Sequence, residues 1–218
     1  MVLFRDRRDA GQRLAGRLEY LRGRDCLVLA VPRGGVVVAD EVAARLNAPL
    51  DLIIPRKIGA PGNPELAIGA VAPDGTVVIR EEILDQRGVS REYVEEAARQ
   101  QLAEINRRLC RYRGDKPPPA IKGRVVILVD DGIATGHTMR AALLAVRKEQ
   151  PAHVVLAVPV APPEALEELR DMVDEIACLV SPHDFWAVGQ FYQAFDQTSD
   201  REVTAILVRY NFNPAIPE

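Results

Sequence analysis

The chain has 218 residues, 48% of them hydrophobic and 5% aromatic, which is enough to bury one full core but hardly two independent cores. Its 28 Lys and Arg residues against 31 Asp and Glu residues give a formal net charge of -3, so bulk charge does not attract nucleic acid. The longest apolar runs fall far short of the roughly 20 residues of a transmembrane helix, so we expect no membrane partner. A single domain over residues 1–218 is expected.

The cysteines and the start of the chain bear on its location. Cys26, Cys110 and Cys178 lie far apart, without the paired spacing of metal ligands. Charged residues from Arg5 to Asp9 stand where a signal peptide needs an apolar stretch. Both features favour a reduced, cytoplasmic setting.

The first elements predict a helix followed by a βαβ unit. Apolar residues at helical spacing predict an amphipathic helix over Asp6 to Leu21, whose polar face requires no function. The wholly apolar run from Cys26 to Val31 is typical of a strand buried on both faces of a parallel sheet. A helix over Val36 to Leu46, opened by two glycines, and a second buried strand at Leu50 to Ile54 follow.

The segment from Pro55 to Pro73 interrupts this alternation because glycine and proline crowd into it. This composition predicts a long mobile loop. The runs Ala67 to Ala72 and Thr76 to Arg80 flank a Pro-Asp-Gly triplet and predict a β-hairpin. We expect the whole flexible region to cover about residues 56–80.

The second half of the chain continues the α/β alternation to about residue 180. The pattern predicts a fold of the doubly wound α/β class with a mainly parallel sheet of about five strands and a core at about residues 24–180. Aromatic residues gather after the last strand, which predicts a small C-terminal hood over about residues 181–218. The predicted helices are Ser90 to Tyr112, His137 to Glu149 and Pro163 to Val173, and the predicted strands are Val125 to Val129, Val154 to Val160 and Ile176 to Val180.

The candidate site with the clearest chemistry follows the strand Val125 to Val129. Asp130 and Asp131 end that strand, and a glycine-containing turn leads directly into a helix, which is where α/β sheets bind ligands. The first N–H groups of the helix and the hydroxyls of Thr135 and Thr138 suit a phosphate dianion. The carboxylates cannot bind that phosphate, so we expect them to accept hydrogen bonds from hydroxyls or to stabilise positive charge on the same ligand.

The segment Val126 to Thr138 resembles the signature of the type I phosphoribosyltransferases, an apolar strand, two acidic residues, a hydrophobic residue and Ala-Thr-Gly-x-Thr. Gly132 directly follows the acidic pair, which is a small departure from the pattern. The resemblance implies the type I fold and a reaction that moves the 5-phosphoribosyl group of 5-phosphoribosyl 1-pyrophosphate (PRPP) to a nitrogenous base. It also implies Mg2+ as the cofactor, pyrophosphate as a product and a homodimer, as is common among relatives.

The resemblance assigns roles to both halves of this motif. Asp130 and Asp131 are expected to hold the ribose hydroxyls, directly or through metal and water, and to stabilise an oxocarbenium-like transition state. The residues expected to grip the 5-phosphate are Ala134, Thr135, Gly136, His137 and Thr138.

A second resemblance lies after the first strand, at Pro32-Arg33-Gly34-Gly35, where the family carries a loop that binds pyrophosphate. Glycines there let the backbone approach an anion closely. Arg33 is expected to contact the pyrophosphate, and a non-proline cis peptide bond is expected between Pro32 and Arg33.

Arg56 and Lys57 begin the long loop, which resembles the family's flexible loop that closes over the pyrophosphate. Either residue is a candidate to neutralise the leaving group, with Lys57 counted among the catalytic residues and Arg80 as a third candidate.

The segment Ser181 to Asp200 resembles the hood that holds the acceptor base, with Phe185 or Trp186 placed to stack on it. Gln193 stands where purine-salvage members of the family have an acidic residue, so no base is assigned. His183 and Asp184 are hood residues without an assigned role.

An alternative function on the same fold is a non-catalytic module that senses PRPP or a nucleotide. The acidic pair together with Arg33 favours the enzyme. A P-loop nucleotidase is not supported, because Gly-x-x-x-x-Gly-Lys-[Ser/Thr] does not occur, and a dinucleotide oxidoreductase is not supported, because Gly-x-Gly-x-x-Gly does not follow the first strand.

Overall fold

The computed structural model describes residues 3–213, apart from the side chains at positions 64 and 65. Residues 214–218 of the expected hood lie outside this part of the chain. The helices are α1 (Arg7–Arg17), α2 (Gly34–Leu46), α3 (Glu81–Arg87), α4 (Arg91–Arg113), α5 (His137–Lys148), α6 (Pro163–Leu169) and α7 (Asp200–Val208). The strands are β1 (Cys26–Ala30), β2 (Leu50–Leu52), β3 (Arg56–Ala60), β4 (Asn63–Val71), β5 (Val77–Ile79), β6 (Val125–Val129), β7 (His153–Val160) and β8 (Glu175–Val180).

The central sheet has five parallel strands, as the sequence predicts, and their order is β2-β1-β6-β7-β8. β2 lies beside β1 on one side, and β6 lies beside β1 on the other side, followed outward by β7 and β8. Ala30 pairs with Val129, so β1 and β6 end side by side. This pair of strand ends is the topological switch point, where open α/β sheets bind ligands.

Alternate residues of the central strands point to two apolar clusters on opposite faces of the sheet. Val28 and Ile127 pack with α1, α2, α4 and α7 in one cluster, and Leu29 and Leu128 pack with α5 and α6 in the other. Every residue of β1 and β6 is buried, which explains why both strands are apolar throughout. In the described part of the chain, none of the helices has the length and apolar character needed to cross a membrane.

The prediction of a long mobile loop from Pro55 to Pro73 is wrong, because this segment forms most of a second sheet. The strands of this sheet are antiparallel and lie in the order β3-β4-β5. Gly62, at φ +70°, makes the turn between β3 and β4. Ile58 and Ile68 are buried in the same apolar cluster as Val28 and Ile127, which we call the main core, so β3 and β4 are held in place by packing. The predicted hairpin is confirmed by the pairing of β4 with β5.

Two helices differ from the sequence prediction. α1 ends at Arg17 and a short 3-10 turn, Glu19–Leu21, continues it. No regular element was predicted after Ser181, yet α7 packs its apolar face, including Val203 and Leu207, into the main core.

The hood contains residues from both ends of the chain. Phe4 forms a parallel bridge with Tyr192, and the Gln193 N–H donates to the Phe4 carbonyl oxygen at 2.8 Å. Phe4, Phe191 and Tyr192 are buried together in a third apolar cluster, against which Phe185 and Phe195 pack. The start of α1 is therefore fixed to the hood.

Candidate active site

The loop between β6 and α5 is the one that the resemblance predicts to bind the 5-phosphate, and we call it the phosphate loop. Gly136 ends it with φ +72°, a left-handed conformation that glycine adopts at little cost, and α5 begins at the next residue. Within the described residues, no side chain caps the first turn of α5, so its N–H groups are available to a ligand. The loop encloses a cavity of about 130 Å³, lined by Asp130, Gly132, Ile133, Ala134, Thr135, Gly136, Thr138 and Met139.

His137 differs from its neighbours in the loop, because its side chain lines a larger cavity of about 730 Å³ that also borders Arg80 and Arg140. Burial, and then the charges of Arg80 and Arg140, lower the pKa of His137 below its ordinary value. An anion bound nearby would favour the protonated imidazole.

Asp130 and Asp131 stand together at the carboxyl end of β6, as predicted. The Asp131 N–H donates to Asp130 Oδ1 at 2.8 Å. Burial and then the negative charge of Asp131 raise the pKa of Asp130 well above its ordinary value. The pair therefore resists carrying two negative charges, and positive charge developing beside it would favour the ionised form.

The glycine loop after β1 touches the acidic pair. A Cβ atom on Gly34 would lie 1.9 Å from Asp131 Oδ2, and one on Gly35 would lie 2.9 Å from the Asp130 Cα. Only glycine, which lacks a Cβ atom, lets this loop come so close to the acidic pair. The peptide bond between Pro32 and Arg33 is cis, as the resemblance implies. The two loops that the sequence analysis selected thus meet at the switch point.

Arg33 extends from this loop toward the start of α7. Its Nη1 lies 3.6 Å from Asp200 Oδ1, and Arg111 Nη1 lies 2.8 Å from Asp200 Oδ2. A hydrogen bond from Tyr112 and the charges of Arg111 and Arg33 lower the pKa of Asp200. About a third of the Arg33 side chain is exposed, so it is accessible to an anion.

The two cations at the start of β3 point in different directions. Arg56 Nε donates to Gln101 Oε1 on α4 at 2.7 Å, and burial lowers the pKa of Arg56. The structure therefore directs Arg56 to α4 and away from the site. Lys57 is exposed and pairs across the sheet with Ala70, which lines the cavity beside His137. Cross-strand partners share a face, so Lys57 lies on the α5 side.

Phe185 and Trp186 have different surroundings in the hood. The Phe185 ring lies 5.4 Å from that of Phe191 and packs into the hood cluster. Trp186 is 86% exposed, and its indole N–H donates to Asp184 Oδ1 at 2.8 Å. Asp184 thus orients the exposed indole, a role that the sequence did not reveal.

Arg7 lies on the polar face of the first helix, to which the sequence analysis assigned no function, yet its side chain contacts the acidic pair. Its Nε donates to Asp131 Oδ2 at 2.7 Å, and its Nη1 donates to the Asp196 carbonyl oxygen at 2.7 Å. Its guanidinium carbon lies 3.9 Å from the centre of the Phe195 ring. No local sequence pattern indicates this contact, because it joins residues 124 positions apart.

Comparison with known proteins agrees with this geometry. Residues 8–195 match the family model of the phosphoribosyl transferase domain. The crystal structure of TT1426 from Thermus thermophilus is similar, with a TM-score of 0.81 and 49% sequence identity over 96% of this chain and 99% of that chain.

Two Mycobacterium tuberculosis proteins, from strains CDC 1551 and H37Rv, are each 45% identical over 209 residues, and their names assign them provisionally to the phosphoribosyl transferases. The match covers 96% of this chain and 47% of each relative, so the chain spans about half their length. Because the family model extends over most of the chain, including the acidic pair and the phosphate loop, the chain belongs to the phosphoribosyl transferase domain family.

Proposed function

We propose that this protein transfers the 5-phosphoribosyl group of PRPP to a nitrogenous base and releases pyrophosphate. The observation that carries the proposal is the direct contact between Gly34 of the β1 loop and Asp131 of the β6 loop, next to the phosphate cavity. This contact supports the proposal, because one phosphorylated sugar could then reach the glycine loop after β1, the two carboxylates and the start of α5 together.

The phosphate loop supports binding of the 5-phosphate. The N–H groups at the start of α5 and the hydroxyls of Thr135 and Thr138 surround a cavity of about 130 Å³. The ribose would then extend toward Asp130 and Asp131, whose oxygens accept hydrogen bonds from its hydroxyls. As the bond to pyrophosphate breaks, positive charge on the sugar is stabilised by these carboxylates, and the raised pKa of Asp130 falls beside that charge.

The leaving pyrophosphate is assigned to the β1 loop. Gly34 and Gly35 bring the backbone close, and Arg33 supplies a positive charge that is accessible to an anion. Lys57 is the second candidate cation because it lies on the α5 side of β3, whereas Arg56 is held against α4. We therefore expect Lys57, and not Arg56, to contact the donor.

The carboxylates fit the cofactor that the resemblance implies. Mg2+ is usually held by one or two carboxylates together with substrate phosphate oxygens and waters. Asp130 and Asp131 supply such oxygens, and no group of three or more metal-binding side chains occurs among the residues that the structure describes. When bound with PRPP, Mg2+ would offset the negative charge of the pyrophosphate.

The acceptor base is assigned to the hood, where Trp186 offers an exposed aromatic face and Phe185 is used for packing. Stacking does not select one base, since every base has an aromatic face. Gln193 is exposed and carries no charge, so the hood gives no argument for a purine.

A homodimer is also proposed, because α4 leaves most of its 23 residues unburied, and sedimentation equilibrium tests it.

The experiment that tests this function is a pyrophosphate-release assay with PRPP, Mg2+ and a panel of purines, pyrimidines and other nitrogen nucleophiles. We expect release with one acceptor class, and none from an Asp131→Asn variant. PRPP binding without release for any acceptor would instead favour the sensing module. Wild-type protein that neither binds PRPP nor releases pyrophosphate would refute both functions.

A further inference from the structure

We propose that Arg7 is a positioning residue that holds Asp131 in place for the donor and couples it to the hood. The inference rests on the proposed function, because it concerns the carboxylate assigned to the ribose. It concerns a residue of α1, which lies outside both loops that carry the family resemblance.

Arg7 is held on three sides. Its Nε donates to Asp131 Oδ2, its Nη1 donates to the Asp196 carbonyl oxygen, and its guanidinium carbon lies 3.9 Å from the centre of the Phe195 ring. Its side chain is only 12% exposed and that of Asp131 is 16% exposed. A charge pair this sheltered is screened little by solvent, and its geometry is fixed by several contacts at once.

The backbone that presents Arg7 is also fixed. Asp6 caps α1 by accepting from the Asp9 N–H at 2.8 Å, and Asp9 accepts from the Arg5 N–H at 3.1 Å. The Ala194 N–H donates to the Arg5 carbonyl oxygen at 2.8 Å, which ties this turn to the hood. These hydrogen bonds hold the backbone of Arg7 against the hood.

The contact with Asp131 leaves room for the donor. A carboxylate has about four lone-pair directions. Arg7 donates to Oδ2 through a single N–H, which uses only one of these directions. The guanidinium also supplies the positive charge that two adjacent carboxylates need. Arg7 thus orients Asp131 without occupying it fully.

The same guanidinium connects the donor site to the acceptor side. The Phe195 ring lies 4.9 Å from that of Tyr192, whose hydroxyl donates to the Asp131 carbonyl oxygen at 2.5 Å. Tyr192 directly follows the 3-10 turn that contains Gln190, and Gln190 Oε1 accepts from the Trp186 N–H at 2.8 Å. A change at Asp131 therefore reaches Trp186 through a continuous series of contacts.

Trp186 makes this coupling measurable, because it is the single tryptophan of the chain. We would titrate PRPP with Mg2+ into the wild type, Arg7→Met and Arg7→Lys, and record heat and tryptophan emission on the same samples. Arg8→Met is the matched control, since Arg8 is the next arginine of α1 and pairs with Asp40 and Glu41, outside the site.

In the wild type we expect heat and emission to saturate together. Arg7→Met is expected to bind the donor at least about tenfold more weakly and to lose the emission change. Arg7→Lys keeps the charge and is expected to bind within about threefold of the wild type, yet to lose the emission change, because one ammonium group cannot span Asp131 and Asp196. Arg8→Met is expected to match the wild type.

Each other outcome has a defined meaning. Arg7→Met with wild-type heat would overturn the positioning role. Emission that stays constant while the wild type binds, or an emission change that Arg7→Lys retains, would overturn the coupling to the hood. Should Arg7→Met fail to fold, Arg7→Gln, which also removes the charge, replaces it on the same two signals. A wild type that does not bind PRPP would refute the proposed function itself, and this inference with it.

Discussion

A single methyl group at Gly34 should disable the donor site while leaving the fold intact. In Gly34→Ala the new Cβ would lie 1.9 Å from Asp131 Oδ2, 2.6 Å from Asp131 Cγ and 2.7 Å from Arg7 Nε. Ordinary van der Waals contact begins at 3.4 Å, so the carboxylate must retreat by about 1.5 Å.

That displacement exceeds what such a site tolerates. Catalytic groups must stay within about 0.5 Å of their productive positions, and an error of about 1 Å costs on the order of 100-fold in rate. We therefore expect Gly34→Ala to lower the donor's kcat/KM about 100-fold. Gly34 is not in a left-handed conformation and the atoms it meets belong to side chains, so overpacking should cost no more than about 1–3 kcal/mol of unfolding free energy.

Steady-state pyrophosphate release measures kcat/KM, calorimetry with PRPP and Mg2+ measures donor affinity, and thermal unfolding measures stability. Gly16→Ala is the matched control because a Cβ there meets nothing within 4 Å, and alanine within α1 should stabilise the helix by about 0.5–1 kcal/mol. Gly34→Ala that binds the donor with wild-type affinity would show that the contact between the two loops does not define the site.

Three further predictions address separate parts of the site. Asp131→Asn should stay folded, and its turnover should fall more than its donor affinity, as kinetics and calorimetry can show. The pKa of His137, which burial lowers, should rise in NMR titrations with bound inorganic phosphate, because His137 is the first residue of α5 and follows the phosphate loop. Phosphate affinity should therefore rise as pH falls through this pKa. An unchanged pKa would show that the His137 imidazole does not lie near the bound phosphate. Trp186→Ala should raise the acceptor KM without lowering the unfolding temperature, whereas Phe185→Ala, which loses contact with Phe191, should lower that temperature; the reverse pattern would exchange their roles.

The parts of the fold with a local pattern could be predicted from the sequence. The buried strand β6 and the loop after it occupy consecutive residues, so periodicity and motif identify Asp130 to Thr138 directly. β1 and its glycine loop are equally local. Their contact follows from a general rule, since adjacent parallel strands end at the same edge of the sheet.

The errors have physical causes. Glycine and proline suggested a loop after β2, but Gly62 serves a tight turn, and the burial of Ile58 and Ile68 fixes the strands on either side. Arg56 and Lys57 are neighbours in sequence, yet alternation along β3 sends them to opposite faces. Arg7 was missed because its contact with Asp131 depends entirely on tertiary packing.

Whether the loop from Asp130 to Thr138 binds PRPP can be tested directly by a crystal structure of the protein soaked with PRPP and Mg2+. We expect the 5-phosphate at the start of α5, the ribose hydroxyls against Asp130 and Asp131, and the pyrophosphate against Gly34 and Gly35. A donor bound elsewhere, with the cavity of the phosphate loop filled by solvent, would refute this assignment of the donor site.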